Sequence, residues 1–259
     1  MAKKPFRRIV VKIGTSSLMK DNSVNRQAMT SLARELSELR SEGREIILVT
    51  SGAIGFGMEK MGRGFPEDPV MRQAMAAIGQ SRLMHEYENA FRKHGQVIAQ
   101  VLPIHQNFLD RKLFMPLKET VEKLIQLGAI PIINENDAVS VEEITGKAFS
   151  DNDALAALVA TGFSADLLVM LTDVDGIYTD NPKTCGNTKK IDGIGQLLSE
   201  PINIGKKSEH GRGGMASKIS AVKKAVAAGC STAVCVTREG AVLDAAKGKC
   251  TGSFFGVEN

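Results

Sequence analysis

Short apolar runs of the kind found in buried parallel strands recur along the chain, and segments with helical spacing separate them. The predicted strands are Arg8–Ile13, Glu45–Thr50, Gln96–Leu102, Ala129–Ile133, Asp166–Leu171 and Thr232–Val236, with an edge strand at Thr251–Phe255. The predicted helices are Asn25–Glu42, Val70–His94, Met115–Gln126, Asp153–Thr161 and Met215–Ala228. Strands that alternate with helices form βαβ units, so the sequence predicts an α/β fold, a three-layer αβα sandwich around a mostly parallel sheet.

Length and charge exclude several classes of protein. The 259 residues suit one large α/β domain or two small ones, and the net charge of +4 indicates no nucleic-acid partner. No apolar run reaches the roughly 18 residues of a membrane span. Because the first strand starts by Ile9, no room is left for a signal peptide. We therefore expect a cytoplasmic protein that is not bound to a membrane.

The four cysteines, Cys185, Cys230, Cys235 and Cys250, lack the paired spacing of a zinc site. They are typical of reduced thiols in a cytosolic protein. No metal-ligating side chains are identified from the sequence.

Two polar clusters follow the strand at Ala129–Ile133 and indicate a ligand site. Asn134–Asp137 comes directly after the strand, and Ser150–Asp153 opens the next predicted helix. Ligands of open α/β sheets bind outside the carboxyl ends of the strands. The alternative is a polar turn followed by an N-capped helix, but a cap needs only one such residue. We favour a site for a small polar ligand.

Lys12 interrupts the apolar strand RIVVKI, two residues before Gly14. A lysine in a strand that is buried on both faces is costly unless its charge meets a partner. The alternative is a lysine that extends from the sheet edge to solvent.

Two turns of small residues, Gly14–Ser17 and Ser51–Gly55, follow the first two strands. Such turns expose backbone N–H groups to an anion, although tight turns need glycine in any case. Neither turn matches the P-loop or the dinucleotide-binding motif, which argues against both classes.

The segment Thr172–Gly214 is longer than an ordinary loop and is predicted to be functional. Its first part, Thr172–Pro182, could hold a ribose or simply shape a turn. The stretch Gly211–Lys218, which overlaps its end, opens a helix. Its amides and lysine suit phosphate, and the alternative is an exposed lysine on the first turn. A small hairpin is predicted at Val139–Phe149.

The chain resembles the amino-acid kinase superfamily and, within it, the glutamate 5-kinases. The resemblance rests on stretches in the family's order: VVKIGTSSL, VTSGAIGFG, AAIGQSRLM, IPIINENDAV, FSDNDALAALVA, LLVMLTDVDGIYTDNP and GRGGMASKISA. They run from Val10 to about Cys235. The resemblance implies transfer of the ATP γ-phosphate, with Mg²⁺ as cofactor, to the side-chain carboxylate of L-glutamate, the first step of proline synthesis.

The resemblance also implies roles for individual residues. Lys12 and Lys218 would neutralise the transferring phosphoryl group, with Asp153 holding both ammonium groups in place. The residues implied to bind glutamate are Ser51, Gly52, Asn134, Asp137 and Asn152. The residues implied to bind ATP are Lys12, Gly14, Thr172, Asp173, Arg212, Gly213, Gly214, Met215 and Lys218. The absence of a histidine-based catalytic signature fits, because a carboxylate nucleophile needs no general base.

The expected organisation is one kinase domain over residues 1–259, with residues 1–165 binding glutamate and 166–259 binding ATP. Arg212 stands where the family usually has threonine, and the chain ends without the C-terminal PUA domain of many members. The resemblance further implies a homo-oligomer, a dimer or tetramer, and feedback by proline. Two alternatives remain: another carboxylate kinase such as an acetylglutamate kinase, or a non-catalytic sensor of glutamate or proline.

Overall fold

A computed structural model of the protein describes residues 6–140, 151–180, 185, 188–203 and 214–257. Its strands in chain order are β1 (Arg8–Ile13), β2 (Met19–Lys20), β3 (Ser23–Val24), β4 (Glu45–Val49), β5 (Ile98–Val101), β6 (Ile130–Ile133), β7 (Leu167–Thr172), β8 (Ile177–Tyr178), β9 (Lys190–Ile191), β10 (Ser231–Val236) and β11 (Ser253–Phe255). Seven of them form one sheet in the order β11-β10-β7-β1-β4-β6-β5. All neighbours in this sheet are parallel except β10 and β11.

Helices cover both faces of this sheet. They are α1 (Thr15–Leu18), α2 (Arg26–Ser41), α3 (Ala53–Met61), α4 (Pro69–Arg92), α5 (Gln106–Leu109), α6 (Arg111–Gln126), α7 (Asn152–Gly162), α8 (Ile194–Ser199), α9 (Met215–Ala227) and α10 (Ala241–Ala246). Residues of α2, α4 and α10 pack on one face, and residues of α6, α7 and α9 pack on the other. The predicted three-layer αβα sandwich is confirmed.

Strand β1 lies at the centre of the sheet and is buried on both faces. Because side chains alternate along a strand, Ile9, Val11 and Ile13 point into the core beneath α2. Val10 points into the core beneath α7 and α9. Lys12 has the same parity as Val10, so it lies on the α7 and α9 face and not at a sheet edge.

The strand and helix predictions agree with the structure to within a few residues, and α2 shows why. Its N-terminus is capped by Asn25, whose Oδ1 accepts a hydrogen bond from the N–H of Ala28. Its apolar stripe at Met29, Leu32, Leu36 and Leu39 is buried against the sheet.

The prediction of a turn over Ser51–Gly55 is wrong beyond Gly52, because α3 begins at Ala53. Gly55 and Gly57 lower the helix propensity of this segment, which hid the helix in the sequence. Gly57 and Gly79 are needed for the packing of α3 on α4. A Cβ at Gly57 would lie 2.0 Å from the carbonyl oxygen of Met75, and one at Gly79 would lie 1.8 Å from that of Ala53. The glycines therefore let α3 and α4 approach backbone to backbone.

The segment Thr172–Gly214 is less irregular than predicted. It contains the antiparallel ribbon β8–β9 and the short helix α8, which are too brief for a clear periodic pattern. Helices α1, α5 and α10 were also not predicted, and α1 begins at Thr15 inside the predicted turn Gly14–Ser17. Most of the predicted hairpin Val139–Phe149 lies outside the described residues. Within the described part of the chain, no helix is long and apolar enough to cross a membrane.

Candidate active site

The carboxyl ends of the parallel strands bring the predicted site residues to one edge of the sheet. Gly14 follows β1, Ser51 follows β4, Asn134 follows β6, and Thr172 ends β7. Helix α7 begins over this edge with Asn152 and Asp153 at its first two positions. The parallel topology therefore gathers residues that are more than 100 positions apart in the chain.

At the centre of this edge, the carboxylate of Asp153 pairs with two lysines. Lys12 Nζ lies 2.6 Å from Asp153 Oδ1, and Lys218 Nζ lies 2.9 Å from Asp153 Oδ2. Asp153 is fully buried, and the two lysines are only 6% and 9% exposed. Lys12 comes from β1 and Lys218 from the first turn of α9, so one carboxylate joins three elements.

The positive charges of Lys12 and Lys218 determine whether the Asp153 carboxyl group is ionised. Burial would raise its pKa, but the charges and hydrogen bonds of Lys12 and Lys218 outweigh burial and hold the pKa below its ordinary value. Asp151 caps the same helix by accepting the N–H of Asp153. Burial, followed by the neighbouring carboxylate of Asp153, raises the pKa of Asp151.

A chain of amide and hydroxyl groups runs beside the ion pairs. Asn152 Nδ2 donates to Ser51 Oγ at 2.6 Å and lies 3.4 Å from Asn134 Oδ1. Asn134 Nδ2 in turn donates to Gln80 Oε1 at 2.9 Å. These bonds connect β4, β6 and α4 with the start of α7. They confirm that the two polar clusters meet in space.

Asp137 lies on the wall of a cavity of about 270 Å³ next to this chain of bonds. Gln80 and Glu135 line the same cavity, so Gln80 connects the cavity to Asn134. Among the described residues, the buried Nε2 of Gln80 and Oδ1 of Asn152 have no hydrogen-bond partner. Buried polar atoms without partners are costly, and Gln80 belongs to the wall of the cavity, where a polar ligand would satisfy its amide.

Backbone groups suited to an anion lie around the lysines. A Cβ at Gly14 would meet Lys12 Nζ at 3.4 Å, so the glycine leaves the backbone open beside this ammonium group. Helix α9 begins after Gly214 at Met215, and no side chain of the described residues caps it, so its first N–H groups face no capping group from this part of the chain. Arg212 and Gly213 lie outside the described residues.

Hydroxyl groups tie the first glycine turn to the end of β7. Thr237 donates through its N–H and its Oγ1 to the carbonyl oxygen of Thr172. Its single hydroxyl proton is then used, so Ser17 Oγ donates to Thr237 Oγ1, at 2.6 Å. Thr172 Oγ1 donates to Asp173 Oδ1. The predicted nucleotide residues Thr172 and Asp173 are therefore held next to α1.

Three residues of this edge were not predicted from the sequence: Gln80, Asp151 and Thr237. Gln80 stands in the stretch AAIGQSRLM, and Asp151 stands in the second polar cluster, so both had a signal that was not assigned a role. Thr237 follows a strand like many other threonines, and nothing in the sequence separates it from them.

Comparison with known proteins shows the family to which the chain belongs. A model of the family described as "Amino acid kinase family" matches residues 7–237. The chain belongs to the amino acid kinase family. Its relatives within this family include glutamate 5-kinases. One, from Geobacter sulfurreducens, is 42% identical over 254 residues, which cover 96% of this chain and 67% of the relative.

Two further glutamate 5-kinases are similar over different shares of their length. That of Methanosarcina mazei is 38% identical and is covered to 68%, and that of Caldanaerobacter subterraneus is 43% identical and is covered to 58%. The chain thus spans about three fifths to two thirds of these relatives. A structure of carbamate kinase from Giardia lamblia bound to AMP-PNP has a TM-score of 0.67 at 16% identity, covering 98% of this chain and 99% of that one. It shares the fold.

Replacing Asp153 by asparagine should destabilise the protein, because two buried ammonium groups then lose their shared counter-ion. Breaking a buried pair costs about 3–5 kcal/mol, which urea unfolding at pH 7 would measure. The control is Asp175→Asn, which removes a half-exposed ion pair with Lys190 and should change stability by less than about 1 kcal/mol.

The difference in unfolding free energy between wild type and Asp153→Asn should depend on pH. Because the folded pKa of Asp153 is lowered, its stabilisation is complete above the unfolded pKa of about 3.9 and is lost as the pH falls through the folded value. Below about pH 4, the unfolding free energies of wild type and Asp153→Asn should become more similar. An Asp153→Asn protein as stable as wild type at pH 7 would contradict this account of the ion pairs.

Proposed function

We propose that this protein transfers the γ-phosphate of ATP to the side-chain carboxylate of L-glutamate, forming L-glutamyl 5-phosphate for proline synthesis. The observation that carries the proposal is the pairing of Lys12 and Lys218 on the buried Asp153, beside the amide and hydroxyl chain of Ser51, Asn152 and Asn134. A cationic centre next to a polar pocket suits a reaction between two anions.

The reaction needs charge neutralisation more than proton transfer. A glutamate carboxylate is ionised at pH 7, so its oxygen can attack the γ-phosphorus without a general base. A new oxygen–phosphorus bond forms, and the bond between the γ-phosphorus and the bridging oxygen breaks, so that ADP leaves with the electron pair. The obstacle is repulsion between the two anions, which ammonium groups and aligned N–H groups reduce.

In this mechanism Lys12 and Lys218 contact the transferring phosphoryl group from two sides, and Asp153 holds them apart and oriented. The N–H of Gly14 and the N-terminus of α9 at Gly214 and Met215 would receive the phosphates. The remaining ATP contacts would come from Thr172, Asp173, Arg212 and Gly213. Residues 1–165 would then bind glutamate and residues 166–259 would bind ATP within one domain.

The residues of the site fit a magnesium ion that is carried by ATP. No group of three or more His, Cys, Asp or Glu side chains that could hold a metal occurs in the described part of the chain. Mg²⁺ commonly binds through substrate phosphates and only one or two carboxylates. Asp151, whose buried Oδ2 has no hydrogen-bond partner among the described residues, is the carboxylate that could face it. Bound Mg²⁺ would neutralise phosphate charge.

Glutamate would occupy the cavity lined by Asp137 and Gln80. The Asp137 carboxylate suits the α-ammonium group. Ser51, Gly52 and Asn152 would bind the end of the substrate with the reacting carboxylate, since Asn152 precedes Asp153 in the chain and donates to Ser51. Asn134 is buried to 1% exposure between these two regions. Its bonds to Gln80 and toward Asn152 would fix the distance between the two ends of the substrate.

We also propose self-association, as a dimer or tetramer, through the glutamate-binding half. Val70 and Met71 at the start of α4 are exposed, as is Phe65 before it, and these apolar side chains would contact a second copy. Light scattering at micromolar concentration would test this, since a 27.8 kDa species alone would refute it.

Feedback by proline would appear as reduced activity when proline is added to the kinase assay.

Hydroxylamine traps acyl phosphates, so wild-type protein with L-glutamate, ATP and Mg²⁺ should yield the hydroxamate. Lys12→Met and Lys218→Met should each lower kcat about 10²–10³-fold, because each removes a preorganised donor to transition-state charge. Lys190→Met, which removes an exposed ion pair, is the control and should keep kcat. No hydroxamate from wild type would refute the activity, and a lysine variant with normal kcat would refute that lysine's role.

Asp137→Ala should raise the KM for glutamate and leave the KM for ATP nearly unchanged, because Asp137 lines the cavity proposed for glutamate. Acetylglutamate carries a neutral amide in place of the ammonium group. Sites built around a polar partner reject analogues that lack it by about 10⁴-fold or more. The kcat/KM for acetylglutamate should therefore be lower than that for glutamate by about this factor. Comparable kcat/KM for the two substrates would favour an acetylglutamate kinase instead.

A further inference from the structure

Cys235 and Cys250 form a close thiol pair away from the ion pairs of the active site. Their Sγ atoms lie 2.9 Å apart in hydrogen-bond contact, and both are free thiols. Cys235 is in β10, where it lies opposite Leu171 of β7, and it is only 2% exposed. Cys250 lies before β11 and is partly exposed.

The local backbone holds the pair together. Gly252 passes so close to β10 that a Cβ there would lie 1.9 Å from the carbonyl oxygen of Val234. Only glycine allows this approach, which carries Cys250 against Cys235. The N–H of Gly252 also donates to Cys250 Sγ at 3.3 Å. The turn therefore supplies both the proximity and a donor for a thiolate.

The two sulfur atoms differ in chemistry. The hydrogen bond from Cys235 lowers the pKa of Cys250 to about 7 against the opposing effect of burial, with the Gly252 N–H assisting. The contact with Cys250 and burial together raise the pKa of Cys235. Cys250 is thus the more reactive and more accessible thiol, and Cys235 is the thiol placed to react second.

We propose that Cys235 and Cys250 are a redox modification site. A reversible disulfide forms between these two cysteines, and the oxidant is a low-molecular-weight disulfide such as oxidised glutathione. The Cys250 thiolate attacks one sulfur of the oxidant, which forms a mixed disulfide and releases one thiolate. Cys235 then loses its proton and attacks the Cys250 sulfur, which releases the second thiolate. Two protein thiols are oxidised and one small disulfide is reduced to two thiols, so electrons and protons balance.

The bridge would act on the segment that supports the β8–β9 ribbon. In this segment Ser253 Oγ accepts the N–H of Ile177, and the N–H of Phe254 donates to Asp192. The carbonyl oxygen of Thr251 accepts from Lys190 Nζ. A disulfide would therefore link the segment that contacts the ribbon covalently to β10, next to the end of β7. This inference does not depend on the proposed kinase activity.

The test exposes the full chain to oxidised glutathione, alkylates the remaining thiols after unfolding, and identifies each cysteine by peptide mass spectrometry. Cys235 and Cys250 should be recovered joined in one disulfide. The buried Cys230 should be recovered in its alkylated form, because it was still a free thiol when the protein was unfolded. A reducing agent should restore both thiols. Disulfides that form mainly through the exposed Cys185, or alkylation of both Cys235 and Cys250, would overturn the proposal.

Three single variants resolve the order of events. Cys235→Ser should accumulate the mixed disulfide at Cys250, and Cys250→Ser should leave Cys235 unmodified. Cys185→Ser should form the internal disulfide as fast as wild type. If Cys235 became glutathionylated in Cys250→Ser as fast as Cys250 does in Cys235→Ser, the assigned roles would be wrong. Circular dichroism confirms that each variant is folded, and the wild-type measurement stands without them.

Discussion

One buried carboxylate makes the chemistry of this protein compatible with its fold. A lysine in the centre of a parallel sheet would be strongly destabilising by itself, and a second lysine nearby would add repulsion. Asp153 accepts both, with Nζ–Oδ distances of 2.6 and 2.9 Å, and the contact joins β1, α7 and α9. The same pairing that permits two buried ammonium groups also fixes where they point.

The beginning of α7 organises both parts of the site. Asp151 caps the helix and so sets its first turn, and the next two residues point in different directions because helix positions rotate by about 100°. Asn152 reaches Ser51 and approaches Asn134, whereas Asp153 reaches the lysines. A shift of this helix would therefore move the polar pocket and the cationic centre together, which keeps the two proposed substrates aligned.

Much of this arrangement could be predicted from the sequence, and what was missed has physical reasons. Lys12 stood out because a charged residue interrupts an apolar strand, and the polar clusters stood out because they exceed the need for caps. Helix α3 was hidden because Gly55 and Gly57 lower its helix propensity, although Gly57 is needed for close packing against α4. Gln80 was missed because a glutamine inside a long helix has the pattern of a solvent-facing residue.

Pairings between distant residues needed the structure. Lys218 is 65 positions from Asp153, and only the resemblance to the kinase family connected them in the sequence. Cys235 and Cys250 are 15 positions apart without a recognised motif, and their contact follows from the path of the chain at Gly252. Local patterns predict elements and candidate residues, whereas such contacts depend on how layers pack.

The most direct test of the central claim is a crystal structure of the full chain with glutamate, ADP, Mg²⁺ and aluminium fluoride, which mimics the transferring phosphoryl group. The account predicts that Lys12 Nζ and Lys218 Nζ both lie at hydrogen-bond distance, about 2.7–3.2 Å, from the fluoride atoms while both still contact Asp153. A complex in which the mimic is bound in line with glutamate but either lysine remains beyond that distance would contradict it.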